Sequence, residues 1–62
     1  MDRYRVELLP NGLYRVFDYQ CKWSLVYSFH PELACCNVRW EHGGVDSMAA
    51  RVAVVKFISA RK

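Results

Sequence analysis

Glycine is scarce in this chain, with three in 62 residues, and none forms a phosphate-cradling loop. No apolar run approaches the ~18 residues of a membrane-spanning helix. The start, MDRYRVELL, carries charges where the apolar stretch of a secretory leader would begin, so the expected residence is cytoplasmic. Cysteine is present only as an odd set, Cys21, Cys35 and Cys36. A small secreted scaffold shows an even set of four or more, so reduced and mostly buried thiols are expected. Zinc ligands come as close pairs two to four residues apart. The available metal candidates, Cys21, His30, Cys35, Cys36 and His42, contain no Cys-x-x-Cys or His-x-x-x-His spacing. No metal and no cofactor is expected. Paired-carboxylate motifs and a nucleophile elbow are missing too.

What remains is a chain 53% hydrophobic and 15% aromatic. That richness excludes disorder and points to one small packed domain over residues 1–62. At this size folding hides only about 60% of the unfolded surface, so a dense core or a partner is needed. The net charge is +3 and is not lopsided. Residues 1–31 hold four basic and three acidic side chains, and residues 32–62 hold five and three. Any basic footprint must therefore be assembled by folding.

Pro10-Asn11-Gly12 between two β-forming runs is a hairpin signal. A three-residue loop, with Pro and Asn in a type I turn and Gly left-handed, pairs Leu9 with Leu13. It then sets Val6 opposite Val16, Leu8 opposite Tyr14 and Glu7 opposite Arg15. A two-residue Asn-Gly loop competes; it would pair Arg5 with Asp18 and reverse the faces of the second strand. The Glu7–Arg15 charge match favours the first. One face then holds Tyr4, Val6, Leu8, Tyr14 and Val16. The other mixes Arg3, Arg5, Glu7, Leu9, Leu13, Arg15, Phe17 and Tyr19.

Residues 21–29 alternate well and read as a third strand, joined by a short turn near Gln20 and ended by His30-Pro31. PELACC suggests one helical turn, and residues 37–42 a short fourth strand before Gly43-Gly44. The segment from Val45 reads as a C-terminal helix capped by Asp46 or Ser47, with Arg61 and Lys62 suiting its end. Its β-branched valines would also suit a strand. On a helical wheel Met48, Val52 and Val55 share one side, while Val54, Phe57 and Ile58 fall elsewhere. A helix apolar on several sides needs several covers, one of which could be a second subunit, so a homodimer is a candidate state. The expected fold is α+β: a three- or four-stranded antiparallel sheet with one C-terminal helix packed on a face.

The arginine and aromatic face is the leading functional candidate. Guanidinium groups neutralise phosphates, and rings stack on bases. The expected nucleic-acid or partner-binding residues are Arg3, Arg5, Arg15, Phe17, Tyr19 and Lys22. The same residue types are enriched at protein-binding hot spots, so a small inhibitor or adaptor that docks on another protein is the second reading. A solvated face softened by packed arginine stems is the plain alternative. A ribonuclease toxin, with His42 ahead of His30 as general base and Arg39 beside it, is third. The protein is expected to be non-enzymatic.

LPNGLYRVFDY, from Leu9 to Tyr19, resembles the first hairpin of the three-stranded-sheet-plus-helix DNA-binding domains at the N-termini of many phage integrases. In that family the sheet enters the major groove. The resemblance therefore implies base or phosphate contacts by Arg15, with Arg5 and Lys22. This chain has an additional stretch, residues 30–44, and fewer lysines than that family.

Overall fold

The computed structural model describes residues 3–33 and 36–61. Four strands run in the order β1 (Tyr4–Leu8), β2 (Tyr14–Asp18), β3 (Trp23–Phe29) and β4 (Val38–Gly43), followed by helix α1 (Met48–Ala60). Each strand pairs antiparallel with the next in sequence, so β1 and β4 form the two edges. This is an α+β fold with the helix on one side of the sheet. Among the described residues no helix is long and apolar enough to cross a membrane.

The first hairpin adopts the three-residue loop. Leu9 N–H donates to Leu13 O at 2.8 Å, Gly12 N–H to Leu9 O at 3.0 Å, and Leu13 N–H to the Asn11 side chain at 3.1 Å. Gly12 sits at φ +86°, the left-handed region a side chain rarely adopts. The register follows: Val6 opposite Val16, Glu7 opposite Arg15, Leu8 opposite Tyr14. Strand alternation then separates an apolar face from a mixed one.

The apolar face meets α1. Val16, Leu25, Tyr27, Val38, Ala50 and Val54 form the buried core, with Tyr4, Val6, Tyr14, Cys36, Val55 and Ile58 packed against it. The helix buries the line through Ala50 and Val54, whereas Met48 and Val52 remain exposed. The valine-rich segment is helical because its side chains find cover on that line and because Ser47 caps its start. The Ser47 hydroxyl accepts from Ala50 N–H at 3.2 Å. Asp46, the other candidate cap, is engaged elsewhere. Its carboxylate accepts two bonds from Arg51, at 3.0 and 2.5 Å, and one from the Tyr27 hydroxyl at 2.8 Å. These bonds fasten the start of α1 to the centre of the sheet. Arg51 beside it holds the Asp46 carboxyl below its usual range. Burial, reinforced by the bond to Asp46, pushes the Tyr27 phenol well above the ordinary tyrosine value. The helix ends at Ala60; Arg61 follows as its C-cap, with its guanidinium over the Phe57 ring. Lys62 lies outside the described residues.

Within the additional stretch, residues 38–43 form the fourth strand. The helical turn expected at PELACC falls partly on residues 34 and 35, outside those described; Pro31 and Glu32 form a turn. Cys36 and Asn37 take left-handed backbone, at φ 62° and 58°, and the strand starts one residue later than expected, at Val38. Asn37 stitches the loop by donating to Pro31 O and Leu33 O at 3.0 and 2.7 Å. At the other end Gly43, at φ +96°, passes so close to β3 that a Cβ would lie 2.3 Å from Ser24 O. The expected burial of the thiols holds only in part. Cys21 is exposed, Cys36 is half-buried with its sulfur 3.4 Å from Met48 Sδ, and Cys35 lies outside the described residues.

Candidate binding face

The face of the sheet away from α1 carries Arg5 and Glu7 from β1, Arg15 and Phe17 from β2, Ser24, Val26 and Ser28 from β3, and Arg39 and His42 from β4. Val26 is buried even here, flanked in register by Arg15 and His42.

Arg5, Glu7, Arg15, Phe17 and Ser24 line one open depression of about 350 Å³. Arg15 Nε donates to Glu7 at 2.6 Å across the strand pair. Arg5 lies opposite Phe17 and, among the described residues, has no carboxylate partner. Phe17 is half-buried and meets Tyr19 edge to face, with ring centres 4.9 Å apart and planes at 68°. Tyr19 is 43% exposed. Lys22 stands exposed in the same β2–β3 turn, at φ 59°. Four of the six expected site residues, Arg5, Arg15, Phe17 and Tyr19, are thus brought together, and Lys22 is exposed in the adjoining turn.

Arg3 departs from that group. Its guanidinium makes a two-pronged bond to Asp18, at 3.1 and 3.0 Å, and lies 5.0 Å from the Tyr4 ring centre, on the helix side. The cause is Asp18, a carboxylate at a core-facing position of β2 that is only 3% exposed. A charge in such a place requires partners. Arg3 supplies one, and the N–H groups of Gln20 and Cys21 supply two more, at 2.9 and 3.2 Å. The Arg3 bond, with help from those amides, holds the Asp18 carboxyl down to about 2.

A second polar cluster was not anticipated. The Ser28 hydroxyl donates to Glu41 at 2.5 Å, Arg39 Nε donates to the same oxygen at 3.0 Å, and His30 Nε2 lies 2.8 Å from Ser28 Oγ. His30 Nδ1 is 3.3 Å from Glu32. The chain resembles a serine–histidine–carboxylate relay in connectivity. It differs from such a relay in that the Ser28 hydroxyl is also bonded to a second carboxylate, Glu41. The bonds from Ser28 and Arg39 keep the Glu41 carboxyl below its ordinary range. Arg39 stands opposite Ser28 in the β3–β4 register, and Glu41, two residues on, shares their face; the register then shifts between Val26 and Tyr27 and sets His42 opposite Val26. His42, ranked first among the histidines, is exposed and stands opposite Val26, while His30 is the one held in a network. Among the described residues no group of three or more His, Cys, Asp or Glu side chains is placed to share a metal ion.

No family model matches the chain, and neither a search of curated proteins nor one of solved structures returns a match.

Proposed function

We propose that the protein is a small, non-enzymatic binding module that contacts single-stranded nucleic acid through the helix-free face of its sheet. The observation that carries this reading is Arg5: a cation without a carboxylate partner among the described residues, sharing one open depression with Phe17, whose ring packs edge to face against Tyr19. Arg5, Arg15 and Lys22 neutralise phosphates, and the rings offer an exposed apolar surface to a base. The test is fluorescence anisotropy with a labelled single-stranded oligonucleotide across a salt series. Three phosphate contacts give a slope of log K against log salt near about −2, at ~0.7 per contact. Arg5→Ala should lower that slope by about one contact, and Phe17→Ala should weaken binding without changing it.

A specific observation favours a second reading, docking on another protein. Arg15 is matched by Glu7 and Arg39 by Glu41, so much of the face alternates in sign. Alternating charge selects a complementary protein surface better than a uniformly anionic strand. Absence of oligonucleotide binding at low salt, or affinity that ignores salt, would sink the first reading and leave the second.

A further inference from the structure

The two sheet edges differ. β4 is interrupted by its bulge and closes on Gly43, devices that blunt an edge against further pairing. β1 has neither; it pairs with β2 over five residues without a shift. Arg3 O accepts from Tyr19 N–H and Leu9 N–H donates to Leu13 O, so the odd-numbered residues direct their backbone groups toward β2. The backbone N–H and C=O of Tyr4, Val6 and Leu8 therefore point outward, away from the sheet. Beside them, between β1 and α1, runs an open groove of about 620 Å³ whose apolar lining includes Val6, Val52, Ala53 and Phe57. Leu8 at 44% and Val52 at 37% exposure leave apolar surface along the same side.

We propose that this edge joins a second copy of the same chain, β1 against β1 in antiparallel register about Val6. The sequence of the strand, Tyr4-Arg5-Val6-Glu7-Leu8, is complementary to its own reverse. In this register Val6 meets the partner's Val6 and Tyr4 meets the partner's Leu8, and these are the residues whose backbone groups are turned outward. Arg5 meets the partner's Glu7, and Glu7 meets the partner's Arg5, at the pairs without backbone bonds, where opposed side chains stand closest. Leu8 of each copy enters the other's groove beside Tyr4. The sheet becomes continuous through both copies, with both helices on one side. On the other side a row of Arg15, Glu7 and the partner's Arg5 crosses the junction with cation in excess. The inference does not rest on what the open face binds; in the dimer Arg5 shares the partner's Glu7 with that copy's Arg15, which leaves two cations for each carboxylate along the junction.

The test is a charge swap read by light scattering or sedimentation, in the absence of nucleic acid. Arg5→Glu and Glu7→Arg each place like charges at both symmetric pairs, and each alone should raise the dimer dissociation constant by at least about tenfold. Mixed in equal amounts, the two variants place opposite charges at both pairs, and the dimer should return. Both positions are solvent-exposed, and far-UV circular dichroism checks that each variant keeps its sheet. Recovery of dimer only in the mixture supports the proposal. A wild-type protein that stays monomeric at its highest soluble concentration, a dimer indifferent to Arg5→Glu, or a mixture that fails to recover each overturn it.

Discussion

Replacing Tyr27 by Phe tests how the helix is anchored. The ring is fully buried between β3 and α1, and its hydroxyl is bonded to Asp46 at 2.8 Å. Phe fills the same space and leaves no cavity, so the change isolates one bond. A hydrogen bond to a charged acceptor contributes ~1.5–3 kcal/mol. Asp46 retains Arg51 and is partly open to water, which re-satisfies the vacated lone pair and sets the cost at the lower end. The expected loss is about 1.5 kcal/mol. In a domain of this size ~1 kcal/mol moves Tm by ~4–8 °C, so the fall should be about 6–12 °C. Urea titration followed by circular dichroism gives the free energy, and a thermal melt gives Tm. The same change in an Asp46→Ala background should cost much less, because the partner is already gone. A loss below about 0.5 kcal/mol, or additivity of the two lesions, would refute the claim that this bond fastens the helix to the sheet.

Stability should also respond to acid through Asp18. Its carboxyl is held down to about 2 in the folded chain, below its ordinary value of 3.8. A depressed folded value means the contribution is complete above the ordinary value and is lost as pH falls through the folded one. Tm should therefore drop between about pH 4 and pH 2, and an Asp18→Asn protein should show a shallower fall in that window. Gly43→Ala should destabilise severely and loosen the β3–β4 pairing, read as loss of amide protection in β4, since the new Cβ meets Ser24 O and the backbone sits at positive φ.

Much of the hairpin was legible in the chain itself. Pro10-Asn11-Gly12 has the residue types one loop geometry demands, and the Glu7–Arg15 match selects the register, so the two faces of β1 and β2 follow from local chemistry. The grouping of Arg5, Arg15, Phe17 and Tyr19 follows from the same alternation. Helix against strand for the C-terminal segment was less decided, since a valine suits either. The Ser47 cap and the cover over Ala50 and Val54 resolve it, and the second of these exists only once the sheet is formed.

Three features belong to tertiary structure alone. Arg3 alternates with Tyr4 as if bound for the open face, but a long guanidinium can cross to a buried carboxylate, and Asp18 draws it to the helix side. The Arg39–Glu41–Ser28–His30 cluster depends on how β4 is set against β3, a pairing between distant segments that puts Arg39 opposite Ser28. The vacancy at the β1 edge depends on strand order, which pairing preferences between neighbours do not dictate. Local residue chemistry specifies which groups share a face. Long-range packing decides which face is covered, which charges are neutralised and which edge is left open, because each of those is a competition among residues far apart in the chain.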